Sequence, residues 1–158
     1  MDIETIVDEE VSIEDLKKFE KIYNDQIARG EPSTKAAFEY AFCLIRSNKS
    51  NVRLGIKLLE ELLSRPDVDE GKRDYLYYLS IGYLKLKEYD TALKYVSTII
   101  RVEPNNQQAR NLQDVIKRRM KRDAAVGAAI LGGASLLGAV AIVGTIAALV
   151  RRGAGPRK

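Results

Sequence analysis

Histidine is absent from all 158 residues, which removes Ser-His and Cys-His nucleophile pairs, imidazole general bases and nearly every zinc or haem arrangement built on imidazole. Enzymatic chemistry has little else to rest on. The scattered carboxylates, such as the adjacent Glu60 and Glu61, have the spacing of a solvated helix face, so no catalytic, cofactor-binding or metal-binding residue is assigned. Cysteine occurs once, at Cys43; no internal disulfide can form, and the default setting is the cytosol. Strand signals are missing between residues 12 and 122. A basic leader is missing too, since the chain opens MDIETIVDEE with five acids and no base, the opposite of a secretory or mitochondrial presequence.

The formal charge of +4 suggests nucleic acid until it is located. All 22 acidic residues, and all basic residues but four, lie at or before Asp123, so that stretch sums to zero. The excess is Arg151, Arg152, Arg157 and Lys158. A basic tail after a hydrophobic run is a membrane feature, and no nucleic-acid partner is expected.

That run extends from Ala124 to Val150, 27 residues without a charge. At about 1.5 Å per residue it reaches roughly 40 Å, more than the ~30 Å hydrocarbon layer, so one crossing of the lipid bilayer is expected. Lys117, Arg118, Arg119, Lys121 and Arg122 precede it and the four tail residues follow, placing charge among headgroups on both sides. Only eight residues come after the span, which implies insertion after synthesis: a tail anchor with its domain left in the cytosol. A moderately apolar, Gly- and Ala-rich span with basic flanks favours the mitochondrial outer membrane over the endoplasmic reticulum as a compositional tendency, the tail residues acting as targeting signals. Ala125, Ala129 and Gly133 share a face suited to a second helix, which leaves weak homo-oligomerisation open.

Before the anchor, apolar residues recur at helical spacing between short polar turns. Ser12 and Asp15 open a helix with the stripe Leu16, Phe19, Tyr23, Ile27, ended by Gly30. A second follows Pro32-Ser33 and buries Phe38, Ala41, Leu44 and Ile45; a third, around Leu54 to Leu63, stops at Pro66. The fourth carries Tyr75, Leu79, Tyr83 and Leu86, the fifth Ala92 to Ile100 before Pro104, and the sixth Leu112, Val115 and Ile116. Residues 71 to 106 have the tetratricopeptide layout: Leu79 and Tyr83 on a first helix, Ala92 where two backbones approach, Pro104 at the exit. A weaker copy places Gly55 where Ala92 stands, 37 residues upstream. The expected fold is all-α, a six-helix tetratricopeptide-like bundle of two repeats plus capping helices, followed by one C-terminal transmembrane helix. Its parts are a flexible N-terminal arm (1–11), the cytosolic domain (12–122), the anchor (124–150) and a basic tail (151–158).

Helix-pair solenoids bind partners on the concave face made by the first helix of each pair. Repeat register assigns to it Cys43 and Arg46 from the first pair, and Tyr77, Ile81, Leu84 and Lys85 from the second. The arm mixes Ile3, Ile6, Val7 and Val11 with acids. This suits a disordered terminus, which composition favours, or a segment folded back onto the groove.

Three stretches, FEYAFCLIRS (Phe38 to Ser47), RLGIKLLEELL (Arg53 to Leu63) and RDYLYYLSIGYLKLKEYDTALKYV (Arg73 to Val96), with the Gly-rich tail, resemble the mitochondrial fission 1 family of tail-anchored outer-membrane proteins. The resemblance implies a six-helix domain with two repeats, no enzymatic activity and no cofactor. It implies recruitment of a dynamin-related GTPase, directly or through adaptor proteins, for division of mitochondria and peroxisomes. It places the groove around Leu44, Tyr77, Tyr78, Ile81 and Leu84. Tethering of organelles, or docking of chaperones and precursors, uses the same anchor and groove and stays open as the alternative. With Arg46 and Lys85 set among apolar residues, the groove suits a hydrophobic segment better than capture of a carboxylate terminus.

Overall fold

A computed structural model of the chain describes residues 3–66 and 71–152, with side chains as far as Leu131. Among the described residues there are seven helices and no strand: α1 (Ile3–Asp8), α2 (Ile13–Ile27), α3 (Thr34–Ile45), α4 (Lys49–Ser64), α5 (Lys72–Lys85), α6 (Tyr89–Val102) and α7 (Gln107–Arg152).

Local chemistry explains the boundaries. Ser12, Ser33 and Asn48 sit in extended conformation as N-caps, their side-chain oxygens accepting from the N–H of Asp15, Ala36 and Asn51. The Asn106 side chain does the same for Ala109 N–H at 2.9 Å. Each such cap contributes about 1 kcal/mol. Pro66 disfavours helical geometry at the residue before it, and Arg65 is accordingly extended at ψ 134° just beyond the end of α4. Between α5 and α6, Lys87 holds φ 62° while its own N–H donates to Leu84 O and that of Glu88 to Tyr83 O. This is the paired turn that usually places glycine at the left-handed position.

α3 with α4, and α5 with α6, form two antiparallel pairs, and α4 packs on α5 to join them. The first crossing is so close that a Cβ on Gly55 would lie 3.0 Å from Ala41 O and from Leu44 Cβ. At the second, Ala92 is fully buried and the Ser80 hydroxyl donates to its carbonyl at 2.8 Å, satisfying a polar group that burial would otherwise penalise. Leu79 is fully buried and Tyr83 half-buried. Gly82 faces the joint between the pairs, where a Cβ would meet Ile45 Cδ1 at 2.7 Å. Pro104 stands between α6 and α7, its carbonyl accepting from Arg110 Nε. On α7, Ala109, Leu112, Val115 and Ile116 are fully buried.

Three expectations are corrected. The disordered arm is instead α1, with Val7 only 1% exposed. A six-residue helix is too short to hold itself in water, so docking of Val7 and Ile3 on the core stabilises it. Ile27 is 47% exposed and drops out of the α2 stripe; no residue of α2 is fully buried, and Leu16, Phe19 and Tyr23 pack half-exposed. Phe38 is half-buried.

The chain forms two compact units, residues 1–118 and 119–158. Among the described residues no helix is long and apolar enough to cross a membrane. The side chains of the expected anchor from residue 132 onward, Gly133 included, lie outside the described residues, as do those of Arg151, Arg152, Arg157 and Lys158.

Candidate partner-binding face

The first helices of the two pairs, α3 and α5, carry an aromatic run. Tyr78 meets Phe42 edge-on at 5.0 Å between ring centroids, Tyr77 at 5.5 Å and Phe38 at 5.9 Å; Phe38 in turn meets Tyr75 at 5.3 Å. Beside the run lies a cavity of about 390 Å³ whose apolar wall includes Phe19 of α2, Phe38, Phe42, Tyr77, Tyr78 and Ile99 of α6. Its polar rim is Glu39, Arg73 and Asp74, with Asn106 and Gln108 at the start of α7. Arg73 pairs with Asp74 at 3.3 Å, and Lys35 with Glu39 at 3.9 Å. The volume is at the lower end of ligand pockets, about 300–1,000 Å³. It admits one or two large side chains rather than a whole helix.

The opposite end of the face is basic and carries the arm. Arg46 lies over the Phe42 ring at 5.1 Å, donates to Glu9 at 2.5 Å, and accepts the Val11 N–H on its carbonyl. Arg118 pairs with Glu4 at 3.0 Å. Lys85 donates to Ser47 O; burial pulls its pKa down, and Glu10 and Asp8 push back. These half-exposed ion pairs contribute at most about 1 kcal/mol each, and less in salt.

The predicted site residues separate accordingly. Tyr77 and Tyr78 line the cavity, and Arg46 and Lys85 lie at the arm's end. Ile81 and Leu84 belong to the core, at 1% and 2% exposed. Leu44 is 2% exposed, packs against Gly55 of α4 and does not line the cavity. Cys43 is buried where Asp15 of α2 lies near it, and burial raises its thiol to about 11. Phe19, Phe42, Ile99 and Gln108 were not among the expected residues. α3 and α5 supply only one side of the cavity; α2, α6 and the first turn of α7 complete it.

Two buried side-chain atoms among the described residues have no hydrogen-bond partner, and both stand on this face: Tyr77 Oη and Arg46 Nε. Burial pushes the Tyr77 hydroxyl up to about 12. A hydrogen-bonding approach from Gln108 acts the other way and lowers it, but the pair falls short of full hydrogen-bond geometry.

Comparison with known proteins gives the arrangement its family. The model of the Fis1 N-terminal tetratricopeptide repeat matches residues 35–65, and that of the Fis1 C-terminal repeat matches residues 73–125. The human mitochondrial fission 1 protein is 48% identical over 132 residues, 83% of this chain and 86% of that one. The FIS1-related protein fis-2 of Caenorhabditis elegans is 40% identical, covering 84% of this chain and 89% of its own. Among solved structures, fission protein Fis1 from Saccharomyces cerevisiae superposes with TM-score 0.66 at 28% identity, covering 76% of this chain and 92% of that one. Yeast Fis1 in complex with an Mdv1 fragment containing N-terminal extension and coiled-coil domains gives the same score and identity, over 75% and 91%. Two fission 1 repeats matched in order, and relatives close to half identical over most of their length, mean that this chain belongs to the mitochondrial fission 1 protein family.

Proposed function

We propose that the chain is a receptor on the mitochondrial outer membrane, and also on peroxisomes, that gathers a dynamin-related GTPase at division sites through adaptor proteins held on the face between α3 and α5. Residues 124–150 anchor it, the tail from Arg151 to Lys158 directs it, and the helical domain faces the cytosol. The observation that carries this reading is the aromatic-walled cavity to which the first helices of both repeats contribute one side. An apolar concavity with a few polar groups at its rim is the usual form of a peptide anchor site. Family membership and the yeast complex with an adaptor fragment support it.

Phe42→Ala with Tyr78→Ala tests it, since both side chains line the cavity and neither is fully buried. Tyr77 and Ile81 are unsuited to this test because they are 6% and 1% exposed and their truncation would disturb the core. In cells lacking the endogenous protein, the double variant is expected to stay on mitochondria, keep its helical circular dichroism and lose GTPase puncta. Unchanged puncta overturn the proposal and leave tethering or precursor docking.

A further inference from the structure

Buried polar side chains in native proteins are almost always hydrogen-bonded, so two orphans on one face are informative. Arg46 Nε can only donate, and a phenolic hydroxyl donates readily. They stand at the C-terminal end of α3 and on α5, linked through Phe42, Tyr78 and Tyr77. What the fold lacks here is therefore hydrogen-bond acceptors. The arm already brings some: Glu9 occupies one Arg46 nitrogen, and Asp8 and Glu10 are the acids near Lys85. The acids on the cavity rim do not oppose this, because Asp74 and Glu39 each face a basic partner. Gln108 screens the Tyr77 hydroxyl, and it is an exposed side chain on the first turn of α7, able to swing aside.

We infer that the segment bound on this face is an acidic amphipathic one: an aromatic or aliphatic anchor fills the cavity, and its carboxylate oxygens accept from Tyr77 Oη and from Arg46. A basic amphipathic helix leaves both donors unmatched and is rejected. The inference rests on the concave face being the partner site and specifies what that site selects. Its recognition is directional as well as apolar, because a ligand lacking the acceptor leaves desolvated donors behind.

The test uses the full chain in phosphatidylcholine nanodiscs and two small probes with the same ring and nearly the same length, 3-phenylpropionate and 3-phenylpropylammonium. Binding is followed by the NMR shifts of the phenylalanine and tyrosine rings and corrected with empty nanodiscs. The carboxylate is expected to bind about tenfold or more tighter than the ammonium, the scale of a charge-assisted hydrogen bond. Tyr77→Phe is expected to remove most of that preference while leaving the melting temperature unchanged or raised, since it deletes an unpartnered hydroxyl. Equal binding of the probes, no binding of either, or an unchanged preference in Tyr77→Phe overturns the inference. A clear drop in melting temperature also overturns it, because the hydroxyl would then be bonded inside the fold. If the preference fails while Phe42→Ala with Tyr78→Ala still abolishes GTPase puncta, the receptor reading stands and only the acceptor chemistry falls. If the puncta survive that double variant, the receptor reading falls, and the probe comparison still decides the acceptor preference.

Discussion

Gly55 and Gly82 both stand where helices approach, and replacing each by alanine is expected to give different outcomes. At Gly55 the added methyl would lie 3.0 Å from Ala41 O, which is backbone, and 3.0 Å from Leu44 Cβ, which is fixed to backbone. α3 would have to move as a body. Overpacking of that kind costs about 1–3 kcal/mol, against about 1 kcal/mol gained in helix propensity, so Gly55→Ala should lose up to about 2 kcal/mol, about 1 kcal/mol at the middle of that range. Its melting temperature should fall by roughly 5 °C. At Gly82 the nearest atoms are closer, 2.7 Å to Ile45 Cδ1 and 2.9 Å to Ile56 Cγ1, but they are side-chain rather than backbone atoms, and the closest is the terminal methyl of Ile45. There the propensity gain should offset the crowding to within about 0.5 kcal/mol. Thermal unfolding followed by far-ultraviolet circular dichroism separates the two. If Gly82→Ala is the more damaging substitution, raw distance governs and the argument from deformability is refuted.

Cys43 should resist alkylation in the folded protein at neutral pH and react once denatured, because it is buried and burial raises its thiol to about 11; fast labelling of the native chain would contradict its position. Alkali should destabilise the domain. Tyr77 and Tyr40 are raised from 10.0 to about 12, so between these values the unfolded chain gives up protons that the folded chain keeps, and stability falls as pH rises from 10 to 12. A flat urea-unfolding profile over that interval would refute this. Deleting residues 151–158 should move the protein toward the endoplasmic reticulum, as seen by fluorescence imaging; unchanged mitochondrial placement would remove the argument from basic flanks.

Helical periodicity made α2 to α6 and the start of α7 legible, because their apolar residues recur at three and four and their ends carry Ser12, Ser33, Pro66 and Pro104; the start of α4 at Lys49 was missed, since its first turn after Asn48 is polar. α1 was not legible: IETIVD is too short for a period to show, and its helix depends on docking Val7 rather than on local preference. The face was legible in part. Register placed Tyr77 and Arg46 on it, but it also placed there Cys43, which a helix outside the repeats covers, and the resemblance added Leu44, which packs on Gly55. Contributions from Phe19, Ile99 and Gln108 come from elements distant in the chain, and no spacing within one repeat signals them. The unpaired hydroxyl of Tyr77 is a fact of three-dimensional packing; in the sequence it is one of eight tyrosines.

The central claim is recruitment at a membrane, and imaging of mitochondrial shape in cells lacking the endogenous protein tests it most directly, with the full chain or residues 1–123 re-expressed. The account predicts that only the full chain converts elongated, netlike mitochondria to fragments and draws the dynamin-related GTPase into puncta. Unaltered shape and unaltered puncta, with the full chain sitting on mitochondria, would contradict it.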